Sequence, residues 1–155
     1  MILIRHPGAP QPTAVPGVVL RPPSVADTVE LGHLYFASYD PGIAAESEQA
    51  ALEDINLTFE GGYGVLSPTL SRLAWAGDQL VGALLTVERA PWPDTPDCPF
   101  IIELFTAPSH RRLGIARLLL NHCADATVAL RVEDNNLPAL TLYRSAGFRS
   151  VADGN

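Results

Sequence analysis

The stretch that most restricts what this chain can fold into is FIIELFTAPSHRRLGIARLLLNHC, residues 100–123. An apolar run from Phe100 to Thr106 reads as a strand, APSH breaks it, and from about Gly114 the apolar residues recur at helical spacing. ATVALRV at 126–132 is again strand-like, and NLPALTLYRSAGF at 136–148 again helical. Strand, helix, strand, helix in this order predicts an α/β protein built on a mixed sheet.

The first half supplies the other layers. PGAPQPTAVPG at 7–17 reads as an extended connector, and VVLRPPS at 18–24 as a short strand leaving through two prolines. Ser24, with Asp27 three residues on, is a capping signal for a helix from Val25 to about Tyr39, which DPG at 40–42 stops. A second helix is expected from Ser47 to Phe59, ended by EGGYG. SRLAWAG at 71–77 and QLVGALLTVER at 79–89 form a hairpin through Gly77 and Asp78. The length of 155 residues suits a single domain, 1–155, with 1–17 as an extended N-terminal segment.

Charge and cysteine content narrow the function. The formal charge is −7, every basic residue apart from histidine is an arginine, and no basic run occurs, which argues against nucleic acid as a partner. Cys98 and Cys123 form neither a metal spacing nor a disulfide framework, so both are expected as reduced thiols and no metal site is expected. His110 and His122 lack metal-spaced partners. The apolar run in MILIRHPGAPQ is too short for a secretory signal, and no stretch has the ~20 apolar residues of a membrane span. A cytoplasmic location without membrane contact is the default expectation.

The junction at 106–116 has its own chemistry. The first amides of a helix lack internal partners and carry the positive end of its dipole, which makes such an end an anion site. Gly114 and Ala116 let a diphosphate approach the backbone, and Arg111 and Arg112 add charge at the rim. In the last helical segment Asn136 suits the cap, Pro138 the first turn and Gly147 the exit. Ala139, Leu142, Tyr143 and Ala146 fall on one stripe, so Tyr143 carries a phenol onto a packing face.

Together these segments resemble the GCN5-related N-acetyltransferases (GNAT family). IIELFTAPSHRRLGIARLLL is similar to that family's acetyl-CoA motif, Q/R-x-x-G-x-G/A after the fourth strand, with Ala116 a permitted variant at the last position. RVEDNNLPALTLYRSAGF is similar to its following motif, N-x-x-A-x-x-L-Y-x-x-x-G-F. The likeness runs from about residue 18 to 151 and is firmest from 71 onward. It implies a mostly antiparallel central sheet with helices on both faces, and N-acyl transfer from acetyl-CoA to the primary amine of a small molecule or peptide. It also implies that the amides of Arg111, Arg112, Leu113, Gly114, Ile115 and Ala116 hold the pyrophosphate. By the same likeness the backbone of Leu104, Phe105 and Thr106 pairs with the pantetheine arm, and an amide at Phe105 or Thr106 polarises the thioester carbonyl. Asn136 would support that arm, and Tyr143 would protonate the leaving thiolate. One departure stands out: the family adds a further strand after GFRSVADGN, and none remains here. Either MILIR replaces it, a partner does, or the chain is truncated, and an open sheet edge there would favour a homodimer.

The attacking amine must be neutral, which calls for a proton acceptor. Strict alternation in FIIELFT puts Ile101, Glu103 and Phe105 on one face and Ile102, Leu104 and Thr106 on the other. A carboxylate between large apolar neighbours is desolvated and its pKa rises, so Glu103 is the first candidate base and Glu133 the second. For the acceptor, Asp40, Glu46, Glu48, Glu53 and Asp54, with Trp92, Asp94 and Asp97 from the Pro-rich loop, are compatible with a cationic amine. Two other readings stay open: a non-catalytic acyl-CoA-binding sensor or partner module, which a missing last strand favours, and a phosphate-binding Rossmann domain. The latter needs an early Gly-rich turn that the sequence lacks.

Overall fold

The computed structural model describes residues 1–9, 11 and 13–153, so Pro10 and Pro12 of the expected connector lie outside the described residues. Its elements in chain order are β1 (Ile2–Arg5), β2 (Val18–Arg21), a 3-10 turn (Val25–Asp27), α1 (Thr28–Ala37), α2 (Glu48–Phe59), β3 (Arg72–Ala76), β4 (Gln79–Val87), β5 (Phe100–Thr106), α3 (Ile115–His122), β6 (Val128–Arg131), α4 (Leu137–Ser145) and β7 (Arg149–Ser150). The helices start where the sequence offers caps. Ser24 accepts from the Ala26 amide while Asp27 accepts from the Ser24 amide, and Ser47 accepts from the Ala50 amide at 3.1 Å. No helix among the described residues is long and apolar enough to cross a membrane.

The sheet has seven strands in the order β2-β3-β4-β5-β6-β1-β7, and β5–β6 is its parallel pair. The first strand corrects the expectation that residues 1–17 are an extended segment. Residues 2–5 are instead a strand inserted between β6 and β7, with Leu3 opposite both Leu130 and Ser150. Of the three possibilities for the last strand, the sheet order bears out the first, MILIR in its place, and the vacancy that would have favoured a homodimer or a non-catalytic module is not there. The reason lies in the pattern: Leu3 and Arg5 point inward while Ile2 and Ile4 are half-buried. The Arg5 guanidinium donates to Leu120 O at 2.8 Å and Ala146 O at 3.3 Å, and stands 4.8 Å from the Phe148 ring centroid. Those carbonyls close α3 and α4, where the helix dipoles favour a cation, so Arg5 ties both helix ends to the inserted strand. Leu3 is fully buried. Leu3→Ala is expected to lower unfolding stability by about 2–5 kcal/mol, read as a fall in the urea midpoint, whereas a passive tail would leave that midpoint unmoved.

The two faces follow from register. Phe105 packs on Tyr35 of α1, with ring centroids 5.5 Å apart. Its neighbour Thr106, which points the other way, lies opposite Gly82, and a Cβ on Gly82 would come 2.9 Å from Ile115 of α3. α1 and α3 therefore cover opposite faces, and Gly82 is where the start of α3 sits closest to the sheet.

Strands β5 and β6 pair only at Phe100–Ala129 and Ile101–Leu130. Beyond that point they part, and β5 keeps only β4 as a partner from Glu103 to Thr106. The split coincides with a bulge: Leu85 pairs with Glu103 and Thr86 with Ile101, which leaves Ile102 as the extra residue. Strict alternation along FIIELFT is thus interrupted at Ile102. Glu103 and Phe105 still share the α1 face, since Tyr39 touches both.

Candidate functional site

The split opens a groove of about 950 Å³ between β5, the β5–α3 turn and α4. Leu104, Phe105 and Thr106 line its floor, Arg111, Arg112 and Gly114 to Ala116 its end at the β5–α3 turn, and Asn136 and Tyr143 its α4 wall. Leu113 alone of the expected loop residues does not line the groove, and its side chain is 53 % exposed.

The turn has an unusual backbone. Pro108–His110 form a 3-10 turn, Arg112 has φ 64, and Gly114 caps α3 at φ 91. A left-handed arginine is uncommon, and such conformations turn successive amides toward one point. Glycine alone suits the second position without strain. Arg111 lines the groove with its guanidinium held by the Ser38 carbonyl at the end of α1, and so braces the turn. Arg117, one residue past the motif, donates to Gln11 Oε1 and to Ser145 Oγ, both at 2.7 Å, which ties the connector to α4 beside the groove. The Asn136 side chain accepts from the Ala139 amide at 3.3 Å and caps α4.

Tyr143 lies where this groove meets a second cavity of about 520 Å³, which Glu103 also lines. The Tyr143 ring rests on Phe148, with centroids 5.8 Å apart, and its hydroxyl makes no hydrogen bond to the protein among the described residues. Burial, with a smaller contribution from the Glu103 charge, pushes its pKa up to about 12. Tyr39 donates to Glu103 Oε1 at 3.3 Å. Desolvation outweighs that hydrogen bond, and the Asp54 charge adds to it, so the Glu103 carboxyl is pushed up to about 8. Burial and the Glu103 charge also hold Tyr35 and Tyr39 well above the ordinary tyrosine range.

Of the other expected acceptor residues, several are engaged elsewhere. Arg131 grips Asp94 with two bonds of 2.9 and 3.0 Å, pinning the Pro-rich loop to β6, and Arg89 pairs with Asp97. Glu48 pairs with His33 at 2.6 Å, and Gln49 donates to Glu53 at 3.3 Å. Glu46 is exposed, Asp40 lines the large groove, and Glu133 lines the second cavity. Asp54 and Trp92 line a third cavity together with Glu103. Sequence reading did not single out Tyr39, Tyr35 or Tyr63 as site residues; the i, i+4 pair of tyrosines at the end of α1 was the available signal. His110 lines the groove and pairs with Ser109, while His122 meets the Thr69 carbonyl. Cys98 and Cys123 are free thiols, and no group of three His, Cys, Asp or Glu among the described residues is placed to hold a metal.

The family model described as acetyltransferase (GNAT) family matches residues 30–148. No curated protein matches the chain. Among solved structures, the aminoglycoside acetyltransferase AAC(6')-Iy in complex with a CoA-S-monomethyl-acetylneamine bisubstrate analog shares 19 % identity, with 86 % of this chain and 91 % of that one covered and a TM-score of 0.64. Arabidopsis thaliana Naa50 in complex with the bisubstrate analogue CoA-Ac-MVNAL shares 21 %, covering 86 % and 83 %, with a TM-score of 0.60. A GNAT-family acetyltransferase from Bacillus cereus shares 15 %, covering 85 % and 82 %, with a TM-score of 0.62. At these identities what is shared is the fold.

Proposed function

This chain belongs to the GNAT acetyltransferase family, and on that premise we propose that it transfers the acetyl group of acetyl-CoA directly to a primary amine of a small molecule or peptide. The observation that carries the reading is the placement of Glu103 and Tyr143 on the walls of one cavity at the point where β5 and β6 part. An acid and a base with separated titrations, facing one chamber that opens onto an anion-binding turn, fit acyl transfer from a thioester.

In this reading the amides of Arg111 to Ala116 hold the diphosphate and Arg112 faces it at the rim, while Arg111 braces the turn. The unpaired edge of Leu104 to Thr106 takes the pantetheine arm, Asn136 supports it, and an amide at Phe105 or Thr106 polarises the thioester carbonyl. Glu103 accepts a proton from the amine, directly or through water. The nitrogen bonds to the carbonyl carbon, the carbon–sulfur bond breaks, and Tyr143 gives its proton to the departing sulfur. The second proton, which the nitrogen sheds as the amide forms, returns to the tyrosinate, and Glu103 loses its proton to solvent, so the net change is ammonium plus thioester to amide, thiol and one proton. The two groups are coupled: once Glu103 is neutral, the charge that raises the Tyr143 pKa is gone and the phenol becomes a stronger acid.

Acetyl-CoA at 100 times its Kd is expected to stabilise the fold by roughly 2.7 kcal/mol, an upward shift of about 5–10 °C in thermal unfolding. Release of free thiol that depends on added amine then separates an enzyme from a module that only binds acyl-CoA. No shift at millimolar acetyl-CoA, or a shift with no amine-dependent thiol, would count against the proposal.

A further inference from the structure

The third cavity, about 230 Å³, is lined by residues of α1 and α2 and by the same Glu103 carboxyl. Tyr35, Tyr63 and Trp92 line it as well, together with Asp54 of α2. Tyr63 donates to Asp54 Oδ1, which holds that carboxylate in place, and the Tyr35 hydroxyl stands beside the Asp54 and Glu103 carboxyls alike. Neither Asp54 nor Glu103 has a salt-bridge partner among the described residues, and no basic side chain lines the cavity. The tilted Tyr63 and Trp92 rings, with centroids 6.5 Å apart, add two faces that attract cations.

Charge accounting decides what fits. Glu103 is needed for the proton of the reacting nitrogen, which must become neutral to attack. Asp54 then remains as a second carboxyl group on the cavity wall with no basic side chain beside it among the described residues. An ordinary monoamine would leave it uncompensated, and an amino acid would set a second carboxylate beside it. A molecule with a second ammonium group balances it and stacks that group against Tyr63 and Trp92. The volume is enough for a short aliphatic chain.

We propose that Asp54 anchors a second cationic centre of the acceptor, so that the preferred substrate is a short aliphatic diamine. The inference rests on the acetyl-transfer reading above. Its test compares 1,4-diaminobutane with n-pentylamine, in which a methyl group replaces one ammonium at nearly the same length, as acceptors for thiol release from acetyl-CoA. The wild-type protein should favour the diamine in kcat/KM by about ten-fold or more, the size expected of a hydrogen-bonded charge pair. Asp54→Asn should reduce kcat/KM for the diamine about ten-fold more than for the monoamine, with most of the loss in KM. Thiol release with no diamine preference in the wild type, or equal losses on both amines in the variant, overturns the role of Asp54 and leaves acetyl transfer standing. Absence of release from either amine, with acetyl-CoA still bound, overturns both. The wild-type comparison stands even if the variant fails to fold.

Discussion

Tyr143→Phe is expected to lower kcat by about 10²-fold or more while the thermal shift produced by acetyl-CoA persists. The argument is local. Tyr143 keeps its ring on Phe148 in the variant, so the α4 wall of the groove is unchanged in shape and only an oxygen is removed. That oxygen makes no hydrogen bond to the protein among the described residues, so its loss leaves no buried partner unsatisfied and should cost little stability. A loss confined to kcat assigns the phenol to the departing sulfur. If acetyl-CoA binding weakens in step with turnover, the hydroxyl is a binding contact instead. A thioester with a more acidic leaving thiol should recover much of the lost rate, because such a sulfur departs without needing a proton; absence of that recovery would also remove the acid role.

Most of the sheet was legible because its strands are short, apolar and punctuated. Phe100–Thr106 was bounded correctly by Pro99 and APSH, and Gly77 marked the hairpin, where it adopts φ 61. The helix caps at Ser24 and Asn136 were readable because a side-chain oxygen at such a position has a definite local task. The N-terminal strand was legible only as one of three possibilities for the missing last strand. Four residues before a Pro-rich connector carry no local sign of their partner, and β1 pairs with β6 and β7 at sequence separations above a hundred residues. Leu3 and Arg5 become intelligible only once the ends of α3 and α4 meet over them.

The site divides along the same line. Residues 104–116, 136 and 143 form continuous motifs, and local periodicity carries them to one groove. The acceptor side is assembled from α1, α2, the Tyr63 turn and the Trp92 loop, segments that no spacing links. Sequence gathered its acidic residues by composition alone. Four of the seven acidic residues so gathered, Glu48, Glu53, Asp94 and Asp97, hold or brace other side chains. Only three-dimensional placement separates Asp54 from them. The bulge at Ile102 is a related case: alternation in FIIELFT predicts faces, and the register shift that opens the splay depends on the partner strand.

Glu103→Gln should remove a pH-dependent limb from the rate, and the sign follows from the raised pKa. The carboxyl titrates near 8, so only above that pH is it mainly the base, and at pH 6 about 1 % is ionised. Wild-type kcat should therefore rise about ten-fold per pH unit between 6 and 8 and then level off. Tyr143, pushed up to about 12, brings no falling limb in the accessible range. Glutamine cannot take the proton, so the variant should lose about 10²-fold at pH 9 and far less at pH 6, the gap widening as pH rises. Amines of different basicity distinguish the source: a limb that stays near 8 belongs to Glu103, and one that moves with the amine belongs to the substrate. Stability runs the opposite way. Because the folded carboxyl titrates above its ordinary value of 4.5, the folded state holds its proton longer, and the charge works against the fold as pH rises from about 4.5 through 8. Glu103→Gln should melt close to wild type at pH 4 and above it at pH 9, so a variant more stable and yet slower at pH 9 has lost a base rather than a structural prop. A variant that melts lower at pH 9, or a rate gap that does not change with pH, would remove Glu103 from the mechanism and leave Glu133 as the next carboxylate on that cavity wall.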